Sequence, residues 1–155
     1  MNARPRICAY YSVCLNYDQI LRHMRAREPN AHITALLPAG YVPSDLERGM
    51  VDEIMHSERR HYAPWQPVAC LRLVRLLKSG RYDRFAVMFP TAQLRILASL
   101  SGSPTCECWA MDNRIYRLES TPLGAIGEIA GRYLRGIAET ASLFVRSLAA
   151  SLTRR

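Results

Sequence analysis

The chain has 155 residues, 49% hydrophobic and 22% charged, which fits one globular domain with its own core and excludes a disordered or fibrous protein. Lys and Arg number 21 against 13 Asp and Glu, a net charge of +8 with a pI near 9.7, so anionic partners are favoured. The arginines are scattered from Arg4 to Arg117 with no dense arm or stripe, and a nucleic-acid reader is not expected, although a basic binder of that kind is the remotest alternative.

Ile7 to Val13, rich in Tyr, Val and Cys, predicts a first strand. Asn16-Tyr17-Asp18 then caps a helix through about Arg27, with Ile20, Leu21 and Met24 inward and Arg22, Arg25 and Arg27 outward. His32 to Leu37 is a second strand, closed by Pro38-Ala39-Gly40. Tyr41 to Met50 reads as a loop or short helix, and Val51 to Met55 as a weak third strand. The connection Ser57 to Pro67 is broken by prolines.

The clearest signal follows. A helical pattern from about Val68 to Ser79 ends in Lys78-Ser79-Gly80, where a cation and a glycine suit a helix C-terminus and a left-handed cap. Phe85 to Phe89 is then apolar on both faces, the mark of a strand covered by helices on either side. Thr91 is placed to cap a helix over Ala92 to Leu100, Thr105 to Ala110 reads as a fifth strand, and Asn113 to Glu119 as a sixth short strand or a turn.

Strand and helix alternate, which predicts an α/β fold: a single Rossmann-like domain over 1–120 with a mostly parallel sheet of order 3-2-1-4-5. The switch point then lies between the first and fourth strands, at Ser12 to Asp18 and Pro90 to Gln93. Asn16, Asp18, Thr91 and Gln93 are the candidate ligand contacts there, with helix capping as the plainer role of Asn16, Asp18 and Thr91 and exposure to water that of Gln93.

A second unit, 121–155, is read as one long amphipathic helix. Glu128, Arg132, Arg135, Glu139, Ser142 and Arg146 share one face. Ile126, Tyr133, Ile137, Phe144, Leu148 and Leu152, with Ala130 and Ala141, share the other. At 1.5 Å per residue such a helix runs roughly 45 Å, longer than a small domain is wide. Charges recur too often for a membrane span. Its apolar face has three candidate occupants: the domain's own sheet, a protein partner or second copy, or an anionic membrane surface helped by Arg146, Arg154 and Arg155.

Familiar catalytic signatures are missing. There is no GxGxxG, no GxxxxGK[ST] and no GxSxG, so no cofactor is expected. The five cysteines (Cys8, Cys14, Cys70, Cys106, Cys108) are odd in number and no signal-like segment precedes them, which points to a reduced, cytoplasmic setting. Cys106 and Cys108 lie two apart in a strand and need be no more than small buried hydrophobes, so no metal site is expected. His56 and His61 read as surface residues, and Glu107 and Asp112 as solvated acids.

Taken together, YYSVCLNYDQIL, PNAHITALLP, VDEI, LVRLLKSGRYDRFAVMF and QLRILASLSG resemble, over about residues 5 to 115, the N-terminal half of the heptosyltransferase-like (family nine) two-domain glycosyltransferases. The resemblance implies an acceptor-binding domain for a glycan or lipid-linked acceptor, with Asp18 in the position of the catalytic base. The family's small-Gly-Asp turn reads Leu15-Asn16-Tyr17-Asp18 here, without the glycine. Its donor-binding second domain has only the terminal helix in its place. The resulting expectation is a non-catalytic or half-enzyme domain that acts as an interaction or membrane-surface module through that helix. The alternative is an acceptor-binding domain working with a separate donor-binding chain. Either would sit in the cytoplasm, in part peripheral to the inner face of a membrane.

Overall fold

The computed structural model describes residues 4–11, 17–60, 62, 66–110, 114–135 and 139. Its centre is a six-stranded sheet of order β3-β2-β1-β4-β5-β6. Strands β1 (Arg6–Tyr10), β2 (His32–Leu37), β3 (Glu53–His56), β4 (Arg84–Val87) and β5 (Thr105–Trp109) run parallel. The expected order holds. β6 (Ile115–Leu118) adds an antiparallel edge beside β5, because few residues separate the two strands; Ala110 N–H donates to the Arg114 carbonyl (2.9 Å) across their ends. A parallel return would have needed a crossover of a dozen residues or more.

Helices α1 (Tyr17–Arg27), α2 (Asp45–Met50), α3 (Pro67–Gly80) and α4 (Ala92–Leu100) connect the strands, and α5 follows over 122–135. On one face of the sheet, Ile20, Leu21 and Met24 of α1 pack on Ile7, Ala9, Ile33, Ala35, Ala86 and Met88. On the other, Leu73 and Leu77 of α3 and Ala98 of α4 pack on Cys8, Leu36, Phe85, Val87, Cys106 and Cys108. Cys8, Cys106 and Cys108 are therefore core hydrophobes, as the alternation in β5 suggested for the last two, and burial pushes the Cys8 thiol pKa far up and the Cys106 thiol pKa up.

Three expectations need correction. β4 was expected to reach Phe89, but its ladder stops at Val87, level with Tyr10, the last β1 residue available to pair. β3 begins at Glu53 rather than Val51, because the Asp52 carboxylate itself takes the Ile33 N–H (2.9 Å) and so stands in for a strand neighbour. The left-handed cap of α3 falls on Arg81 (φ 48°, ψ 52°) and not on a glycine. Gly80 is required for a different reason: a Cβ there would lie 2.1 Å from the Tyr82 ring.

Asp52 ties the amino end of the sheet together. It pairs with Arg4 (2.8 Å) and Arg25 (2.6 Å) besides capturing Ile33 N–H. Partial burial alone would raise its pKa, but the Ile33 hydrogen bond and the two guanidinium groups outweigh it and lower the group from 3.8 to about 2. The stability it gives is thus complete above about pH 4 and is lost as pH falls through about 2. With its solvent-facing side screened, the effect is about 1 kcal/mol. In acid unfolding of Asp52→Asn, this part of the pH dependence should disappear.

Candidate functional site

In open parallel sheets ligands bind beyond the carboxyl ends of the strands, where the order reverses. Here that point lies between β1 and β4. Beyond β1, the Tyr11 ring meets Tyr17 edge-on (4.8 Å) and tilts over Tyr41 (4.5 Å). Tyr17, buried at the start of α1, donates its hydroxyl to the Ala9 carbonyl (3.1 Å) and fixes the helix to the strand it follows. Tyr41 donates to Glu47 Oε1 (2.7 Å), while Glu47 Oε2 accepts from Ser44 N–H (2.6 Å) and Ser44 Oγ accepts from Glu47 N–H (3.2 Å). That reciprocal capping box starts α2. Burial first, then the Glu47 hydrogen bond and charge, push the Tyr41 phenol pKa far up. Glu47 is consumed by structure and Tyr41 stays neutral.

Asp18 is half-buried in the first turn of α1, next to this tyrosine group, where the helix amides favour a carboxylate. Thr91 follows β4 and caps α4, its hydroxyl accepting from Leu94 N–H (3.3 Å). Gln93 is exposed one residue into that helix. Asp18, Thr91 and Gln93 thus stand at the helix starts that follow β1 and β4. Asn16 lies outside the described residues, as do His61 and Asp112. Among the described residues no group of three or more His, Cys, Asp and Glu side chains could hold a metal ion. The site can present a carboxylate and neutral hydrogen-bonding groups, and the sequence between β1 and α1 has no glycine for close approach of a phosphate.

A groove of about 460 Å³ lies on the α1 side of β4, β5 and β6, bordered by Arg27, Arg84, Thr105, Glu107 and Arg117. Arg84 and Thr105 are the first residues of their strands, so it reaches the end of the sheet opposite the switch point. Its charges are partly self-satisfied: Arg84 pairs with Glu28 (2.6 Å), and Glu107 accepts from Trp109 Nε1 (3.0 Å).

The feature that sequence reading missed is Arg95. Its side chain is only 5% exposed and is gripped from both sides. Nε donates to the Pro90 carbonyl in the segment between β4 and α4 (2.9 Å), and Nη1 faces the Glu128 carboxylate of α5. The signal was present: an arginine among Leu94, Leu97 and Ala98, on the side of α4 that should be apolar.

This grip orients α5. Glu128 also pairs with Arg132 (3.2 Å), and Ala125 is 1% exposed, so the side of the helix that carries Ala125 and Glu128 meets the body, while Arg132 and Arg135 stay exposed. The apolar side faces out: Leu123 is 84% exposed, Ile126 57%, Tyr133 68% and Leu134 67%. Packing of the apolar face on the domain's own sheet is therefore overturned for 122–135. Ile137, Phe144, Leu148 and Leu152 lie outside the described residues.

No protein-family model matches the chain, and no curated protein matches its sequence. Among solved structures it is similar to the glycosyl transferase family 9 protein from Veillonella parvula DSM 2008, with a TM-score of 0.50 and 19% identity, over 68% of this chain and 32% of that one. The likeness shows a Rossmann-like α/β fold of the kind found in that glycosyltransferase, and the matched region is under a third of that protein's length. No helix among the described residues is long and apolar enough to cross a membrane.

Proposed function

We propose that this chain is a glycosyltransferase-like α/β domain that works as a docking module through α5, and is not a self-sufficient transferase. The observation that carries this reading is the reversed helix: its charged side is held by Arg95 while Leu123, Ile126, Tyr133 and Leu134 face outward. A stripe of that kind has a partner surface in its working state. The experiment replaces all four with serine. Because they are exposed, circular dichroism and melting temperature should stay unchanged, while the fraction of full-length chain recovered in a high-speed pellet or a larger-than-monomer peak should fall several-fold. Equal behaviour of the two proteins ends the reading.

A second reading has its own support. Asp18 and Thr91 stand at the switch point on a fold shared with a glycosyltransferase, which favours an acceptor-binding site for a glycan or lipid-linked acceptor, completed by a separate donor-binding chain. Asp18→Asn should then abolish transfer in the reconstituted pair and leave folding intact. Undiminished transfer removes Asp18 from the role of base.

A further inference from the structure

We propose that the groove at the amino end of β4 and β5 binds a dicarboxylic amino acid, its two carboxylates on Arg27 and Arg117 and its ammonium on Glu107. The groove exists because of how the chain leaves β5. The return to β6 is short and antiparallel, so no crossover helix follows β5 to cover the α1 side of these two strands. The residues of β5 match this. Cys106 and Cys108 on the α3 side are buried core residues, while Thr105 and Glu107 on the α1 side are polar and half-buried. A sheet face covered by a helix would be apolar there.

The charges in the groove do not satisfy one another. Arg84 is held by Glu28 (2.6 Å), but Arg27 and Arg117, both exposed, have no carboxylate partner among the described residues. Arg117 stands directly across from Glu107 in the β5–β6 register, where opposite charges on one face ordinarily pair. The Glu107 carboxylate instead accepts from Trp109 Nε1 (3.0 Å) through Oε2, which leaves Oε1 unclaimed among the described residues. Two open guanidinium groups and one open carboxylate oxygen are the complement of two carboxylates and one ammonium. With three arginines against two glutamates, the groove keeps one positive charge, equal and opposite to that of free glutamate or aspartate. Its volume of about 460 Å³ holds a molecule of that size. The site lies at the end of the sheet opposite the switch point, and it rests on neither the docking of α5 nor the role of Asp18.

The test follows the Trp109 Nε1–H resonance of the full chain, assigned as the indole signal that Trp65→Phe retains. That group is bonded to Glu107, and its ring, 2% exposed, is fixed edge-on against His23 (5.5 Å). At constant ionic strength L-glutamate should shift it saturably. Succinate, which lacks the ammonium, and alanine, which has one carboxylate, should bind about tenfold more weakly. Arg27→Gln and Arg117→Gln should each weaken glutamate about tenfold with circular dichroism unchanged, and Glu107→Gln should erase the preference for glutamate over succinate. A response to glutamate no greater than to chloride, or one undiminished in the double arginine variant, overturns the site. Equal affinity for succinate or alanine in the parent, or a preference that survives Glu107→Gln, overturns the amino-acid assignment. Neither result bears on α5 or Asp18, which are read from the serine variant and from transfer.

Discussion

Gly80→Ala should lower stability by about 3 kcal/mol, the largest effect expected of a methyl group added at any glycine among the described residues. An ideal Cβ at this position falls 2.1 Å from Tyr82 Cε2 and 2.4 Å from Cζ, distances no real side chain tolerates. The ring has little freedom to retreat. Tyr82 is 5% exposed, its hydroxyl donates to Met55 Sδ (3.3 Å), and the Arg6 guanidinium lies 5.4 Å from the ring centroid. Nor can α3 shift easily, since Leu73 and Leu77 on its inner face are core residues and Arg81 already holds a left-handed conformation at its end. Tyr82→Leu supplies the control. Alone it costs about 1–2 kcal/mol, but in the Gly80→Ala background it should restore much of the loss. Additive losses in that double-mutant cycle, measured by denaturant unfolding, would show that the contact is not the cause.

Glu128→Ala should cost about 2–3 kcal/mol and should release α5 from the body, because removal of one partner leaves the Arg95 charge buried without its counter-ion. The remaining bond to the Pro90 carbonyl cannot neutralise a guanidinium. Arg95→Met is the informative comparison. It exchanges the charge for an apolar chain of similar reach within α4, so the core should recover most of the stability while α5 stays detached. Hydrogen exchange of the 122–135 amides reads the detachment directly, and the chemical denaturation midpoint reads the stability. A Glu128→Ala protein with unchanged exchange in α5 would mean that Ala125 and its neighbours, not the ion pair, hold the helix.

Much of the fold was legible because local signals and burial agree in it. Phe85, Ala86 and Val87 are apolar on both faces and are fully covered; His32 to Leu37 matches β2 residue for residue; Thr91 caps α4 as its position implied. What escaped were choices made by side-chain contacts that no propensity or periodicity encodes. Nothing local says that Asp52 will occupy the Ile33 amide and delay β3, or that Gly80 answers to a ring two residues on rather than to its own φ. The amphipathic pattern within 122–135 is in the sequence, but its direction is not in the periodicity. Arg95 sets it, by holding Glu128 against the body. Of the candidate site, the positions of Asp18, Thr91 and Gln93 followed from topology, whereas the packed tyrosines beyond β1 carried no motif.

Arg95 holds the Pro90 carbonyl with one nitrogen and the Glu128 carboxylate with another. The outer rod and the rim where the middle of the sheet opens therefore share one rigid planar group as their common anchor.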